Sequence, residues 1–176
     1  MEEQKIRKQI KLKYECEGGY QQIFGESFVK ENKENMELII NREKKDLIDR
    51  YKLEEGDNNI ILIIKKKITN LSHMFDECKS LKNIEELKYL NIFYCTNFSY
   101  MFRGCSSLSD IKSLEKWNVS NGNNFSGMFA ECSSLSDIKP LEKWNVSNGN
   151  DFKVIIFGVN SLSDIKFLQN SNSYES

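Results

Sequence analysis

One proline and one histidine stand in the whole 176-residue chain, and the longest aliphatic run is the five residues from Ile60 to Ile64. A membrane-spanning helix needs about 20 apolar residues, so no span is expected. A single histidine and five cysteines without a C-x-x-C pair leave no zinc-binding spacing. There is no charge excess either, with 25 basic residues against 26 acidic ones. The balance holds on both sides of Lys66, with 14 of each up to that residue and 11 against 12 beyond it. A nucleic-acid binder is expected to concentrate basic residues, so nucleic acid is not an expected partner. The short run Lys65-Lys66-Lys67 reads as a solvated strand end. The opening residues Met-Glu-Glu-Gln-Lys lack the apolar stretch of a secretory signal. The expectation is a cytoplasmic chain with reduced cysteines, with the cell surface as the alternative.

What the chain does have is an internal repeat. Residues 97–123 and 124–150 differ at four of 27 positions, an earlier diverged copy fills 70–96, and a partial one begins at Asp151. Aligned on one another, the copies hold Leu81, Leu108, Leu135 and Leu162 in one column, and isoleucine at 84, 111, 138 and 165 in another. Other columns exchange one apolar residue for another: Met74, Met101, Met128 and Ile155; Phe75, Phe102, Phe129 and Ile156; Cys78, Cys105, Cys132 and Val159. Positions that keep apolar character and volume face a shared interior. Val159 in the cysteine column points to small buried packing groups rather than a metal or redox ladder.

Within one copy, Phe98, Met101, Phe102 and Cys105 fall at i, i+3, i+4 and i+7, which predicts a two-turn helix capped by Asn97 or Ser99. The following Ser106 to Ile111 predicts a short extended segment stacked in parallel on its equivalents. Trp117 to Asn123 predicts a turn-rich return. One such unit cannot bury its own apolar face, and stacked units can. The resulting domain division is a β-rich cap over 1–66, repeats over 67–170 and a polar tail over 171–176. In the cap, Ile10, Leu12, Tyr14 and Cys16 alternate with charged residues, as do Met36, Leu38 and Ile40, so both stretches predict half-buried strands. A short helical turn is expected over 23–29, turns over 41–44 and 55–59, a return strand over 46–53 and a buried strand over 60–64.

The recurring Met-Phe-x-x-Cys-x-x-Leu of Met74, Phe75, Cys78 and Leu81 and their equivalents, with Trp117-Asn118 and Trp144-Asn145, is similar to the BspA-like leucine-rich-repeat family, across about residues 68–165. The front segment Phe24-Gly25-x-x-Phe28-Val29 is similar to the leader preceding such repeats in protist members. The resemblance implies a solenoid and a role in protein or surface interaction. Bacterial members are typically exported adhesins or surface proteins. With the spacing, it gives the expected fold class: α/β, a short leucine-rich-repeat-like solenoid behind a small, mainly antiparallel β cap.

No nucleophile–base pair, paired acid set or phosphate loop is visible, so a non-catalytic interaction module without a cofactor is expected. An adhesin, or a truncated paralogue without a partner, is the alternative. Variable columns among near-identical copies suggest exposed positions. They nominate His73, Asp76, Glu77, Tyr100, Arg103 and Glu131 as contacts for an unknown protein partner. The five Asn-x-Ser sequences read as turn and cap asparagines, and Trp117 over Trp144 as core or edge packing.

Overall fold

The computed structural model describes residues 8–148. Five strands form one sheet in the order β3-β2-β4-β1-β5: β1 Gln9–Gln22, β2 Met36–Ile40, β3 Glu43–Asp46, β4 Arg50–Ile64 and β5 Leu81–Asn83. Every named pairing is antiparallel. The period-two alternation of the front strands places their apolar residues in rows across the sheet. Leu38, Leu62 and Ile10 make one row, and Ile40, Ile60 and Leu12 the next, all buried. Such cross-strand rows are the unit of sheet stabilisation. β2 and β3 are joined by Asn41 and Arg42 at φ 53° and 69°, the two-residue left-handed turn that matches strand twist. The helix α1, Glu26–Asn32, follows β1 and buries Phe28.

The expected α/β leucine-rich-repeat solenoid is corrected by this architecture. The fold is mainly β, built on an antiparallel five-stranded sheet with one α-helix among the described residues. Among the described residues the copies contain no α-helix. Their regular structure is the three-residue β5 and three short 3₁₀ helices, Glu85–Tyr89, Lys112–Lys116 and Lys139–Leu141. β5 pairs antiparallel with β1 and not in parallel with its own equivalents. In the front segment, the expected turn over 55–59 is the middle of the continuous β4, where Cys16 faces Gly56 and Glu17 faces Glu55. The Asn58 side chain bonds the Glu54 backbone in both directions there, so turn-type residues sit inside a strand. The partial fourth copy, with Ile155, Ile156, Val159, Leu162, Ile165 and Leu168, and the tail over 171–176 lie outside the described residues.

The predicted helix fails for a definable reason. An α-helix gives each N–H to the carbonyl four residues back. Here Met101, Arg103 and Cys105 bond three residues back, to Phe98, Tyr100 and Phe102. The intervening amides of Phe98, Tyr100, Phe102 and Gly104 instead donate to Asn124, Ser126, Met128 and Ala130 of the next copy, at 2.8–2.9 Å. Leu71, His73, Phe75 and Glu77 do the same toward Asn97, Ser99, Met101 and Arg103. The chain runs as successive four-residue turns, with left-handed residues at 73 and 77, 100 and 104, and 127 and 131. A four-residue turn repeats the apolar spacing that also suits one helix face.

The side-chain columns complete the attachment. The Phe75 ring lies 5.4 Å from Phe102, and Phe102 lies 5.3 Å from Phe129. Phe24 covers the near end at 5.5 Å from Phe75. Beside it, the Gly25 N–H donates to the Met74 carbonyl at 3.0 Å. A Cβ on Gly25 would lie 2.0 Å from the His73 carbonyl oxygen, so only glycine permits this approach. The thiols of Cys105 and Cys132 donate to the Phe75 and Phe102 carbonyls at 3.1 and 3.0 Å. The indoles of Trp117 and Trp144 donate to the Leu87 and Leu114 carbonyls at 2.9 Å. The first copy has Leu90 in the tryptophan column and has no earlier copy to bond. Three Asx turns mark the corners of each of the three described copies. Asn70, Asn83 and Asn91, and their equivalents, accept the N–H two residues on.

Burial pushes the thiols of Cys78 and Cys105 well up and those of Cys95 and Cys132 to about 12. Burial likewise raises the phenol of Tyr14, whose hydroxyl donates to the Ile23 carbonyl. An unfolded thiol ionises near 8.5. The folded state's preference for neutral thiols is therefore fully available below that pH and is lost as pH rises toward 12. The thermal midpoint is predicted to fall between about pH 9 and 11. A Cys105→Val/Cys132→Val variant is predicted to be less stable at neutral pH by about 1–2 kcal/mol, having lost two hydrogen bonds, and its midpoint to fall less steeply. Equal slopes in a calorimetric pH series contradict this.

Candidate functional site

The tandem turns set the nominated side chains on one ridge. His73, Tyr100 and Gly127 occupy equivalent left-handed positions, as do Glu77, Gly104 and Glu131. The His73 and Tyr100 rings stack with centroids 5.1 Å apart. A Cβ on Gly127 would meet the Tyr100 ring at 2.5 Å, and one on Gly104 would meet the Glu77 carboxylate at 3.0 Å. The glycines are the space into which the preceding copy's side chain lies.

Between these two columns runs a charged one. Arg103 Nε and Nη2 donate to the two carboxylate oxygens of Asp76 at 2.6 and 3.1 Å, a two-point geometry that favours arginine. Nη2 is also 3.8 Å from Glu77 Oε1. His73 Nδ1 lies 2.7 Å from the second Asp76 oxygen. Arg103 lies over the Tyr100 ring at 5.7 Å. The bond to Asp76 raises the guanidinium pKa, and the charges of Asp76, Glu77 and Glu131 add to it. The six nominated residues thus form one cluster around Arg103.

Their exposure differs from the expectation drawn from variability. Gly104, Gly127 and Ala130 are buried, and the Asp76 side chain is only 13% exposed. Tyr100 and Glu131 are the exposed members. Variation in these columns follows what the neighbouring copy leaves room for, as well as solvent. The arrangement can present a ring face, a fixed guanidinium and flanking carboxylates. Among the described residues no group of three or more His, Cys, Asp or Glu side chains is placed to hold a metal ion, and no helix is long and apolar enough to cross a membrane.

A family described as "Mycoplasma protein of unknown function, DUF285" matches residues 50–170. The chain belongs to this family. The DUF285 match begins at the start of β4, so it takes in the last long strand of the sheet as well as the copies. No curated protein and no solved structure matches the chain.

Sequence reasoning missed a second feature of this DUF285 chain, the exposed rings of Phe93 and Tyr94. The signal was present, because Ser120-Asn121 and Ser147-Asn148 stand in the same columns of the later copies.

A double-mutant cycle on Asp76→Asn and Arg103→Ala is predicted to show a coupling of about 1 kcal/mol, as for a partly solvated two-point pair. Urea unfolding of the four proteins measures it. Additive effects would mean that the pair does not hold the ridge together.

Proposed function

We propose that this chain is a non-catalytic protein-interaction module that engages its partner through the ridge of His73, Asp76, Glu77, Tyr100, Arg103 and Glu131. One observation carries the reading. Four of these six residues, His73, Glu77, Tyr100 and Glu131, hold left-handed backbone at φ 54–61° without being glycine. Such a conformation costs a residue with a Cβ about 1–2 kcal/mol. The same turn positions in neighbouring copies accept Gly104 and Gly127, so glycine is compatible with the turn. Strain that the fold does not require, held by two exposed side chains (Tyr100 and Glu131) and two half-buried ones (His73 and Glu77), supports a role for those side chains beyond folding.

The chemistry available suits a protein surface. A stacked aromatic edge, an arginine fixed by a carboxylate and peripheral acids are typical of contact regions where tyrosine and arginine anchor a partner. The resemblance to BspA-like proteins supports the same reading. No arrangement on the ridge supplies an activated nucleophile.

Substitution by the residue of the next copy gives a clean test. Tyr100→Gly and Arg103→Ala place the residues of columns 127 and 130 into the second copy. The pair is predicted to leave the free energy of unfolding within about 1 kcal/mol of wild type, since relief of left-handed strain offsets lost contacts. Proximity labelling in the native cell is predicted to enrich a protein with wild-type chain and to lose it with the variant. Enrichment unchanged by the variant, or none with wild type, contradicts the reading.

A further inference from the structure

We propose that the turn carrying Phe93 and Tyr94 is a contact point for an anionic lipid surface. This proposal shares no residue with the ridge and does not rest on it. The turn is rigidly built. Cys95 N–H donates to the Ile92 carbonyl at 2.8 Å, and the Asn91 side chain accepts the Phe93 N–H at 3.1 Å. Ile92 and Cys95 are buried on either side, so the two residues between them project from a tight tip. Phe93 is 59% exposed and Tyr94 46%, with their rings 5.0 Å apart, edge to face.

Packing does not explain the rings. In the later copies the asparagines in the Tyr94 column, Asn121 and Asn148, donate to the carbonyls of Phe93 and Ser120 at 2.7 Å. The first copy has no predecessor to bond, which frees its column from that duty. It carries two large rings held out into water, where a serine and an asparagine would cost less.

Their surroundings indicate the occupant. Lys67 Nζ lies 3.4 Å from the Tyr94 ring centroid, which anchors the exposed run Lys65-Lys66-Lys67 beside the tip. Lys65 is paired with Glu37 at 3.1 Å, and the rest of the run adds positive charge next to the rings. Two side chains fall far short of the roughly 20–30 residues a side of a stable protein interface. Rings seated at headgroup depth and lysines beside them are two weak signals that add, apolar insertion and attraction to an anionic surface.

Vesicle sedimentation of the full chain tests this, using equal phosphatidylglycerol and phosphatidylcholine against phosphatidylcholine alone. Wild type is predicted to bind the anionic vesicles at about 50 mM salt and to be released at about 500 mM. Phe93→Ser with Tyr94→Asn, the residues of the later copies, is predicted to bind about tenfold more weakly at an unchanged thermal midpoint. Lys66→Glu is predicted to weaken binding on its own. Wild type that fails to bind anionic vesicles at low salt overturns the proposal and leaves the turn to a protein. Equal binding by wild type and the ring variant overturns the assignment to these residues.

Discussion

The division of backbone amides between neighbours is the constraint on which the second half of this molecule rests. In the four-residue turns of the first two copies one set of N–H groups is spent within the copy, and the alternate set is spent on the carbonyls of the next. Neither of these two copies satisfies its own backbone. A buried amide without a partner costs about 1–3 kcal/mol, so a copy detached from the next one loses four bonds together. Thiol and indole donors extend the principle to side chains, each reaching a carbonyl 30 residues earlier. That is a physical account of why cysteine and tryptophan recur at fixed places. They are hydrophobic groups that also carry one hydrogen-bond donor.

Such a stack needs a first partner, and the antiparallel sheet supplies it. Phe24 continues the phenylalanine column, Gly25 offers its N–H to Met74, and β1 pairs with β5 and donates to Ser80 through Glu15. The buried residues from Ile10 through Trp144 consequently form a single cluster. The sheet contributes most of the regular structure, and for that reason the molecule is a mainly β protein. The proposed contacts lie on what the turns leave over. Left-handed positions on the ridge hold side chains where glycine is the easier choice, and the first copy's unconstrained column holds exposed rings.

How much of this was legible depends on which physical signal each element carried. Period-two alternation in Ile10, Leu12 and Tyr14 and in Met36, Leu38 and Ile40 has one structural meaning, and those strands lie where the pattern put them. The 27-residue period likewise has one meaning for which residues come together, and Phe102 does lie against Phe129. The i, i+3, i+4, i+7 pattern has two meanings. Both an α-helix and tandem four-residue turns bring those positions to one face, and left-handed φ is invisible when His73, Glu77, Tyr100 and Glu131 occupy it. The Gly-Asp-Asn-Asn stretch of β4 misled in the opposite direction, since its turn residues are absorbed by a long strand through the Asn58 side chain. At the ridge, column variability picked six residues that the fold brings together around Arg103. It could not show that Arg103 and Asp76 are paired, because that pairing crosses between copies.

Excising one whole copy tests the central claim most directly. Removing residues 97–123 brings Thr96 to Asn124 and returns every column to register. The account predicts that this shortened chain still unfolds cooperatively in urea, with a smaller dependence on denaturant because less surface is buried. A 26-residue excision from the same place shifts every donor off its acceptor and is predicted to abolish the cooperative transition. Loss of cooperativity in the 27-residue excision, or an equally cooperative 26-residue one, would contradict it.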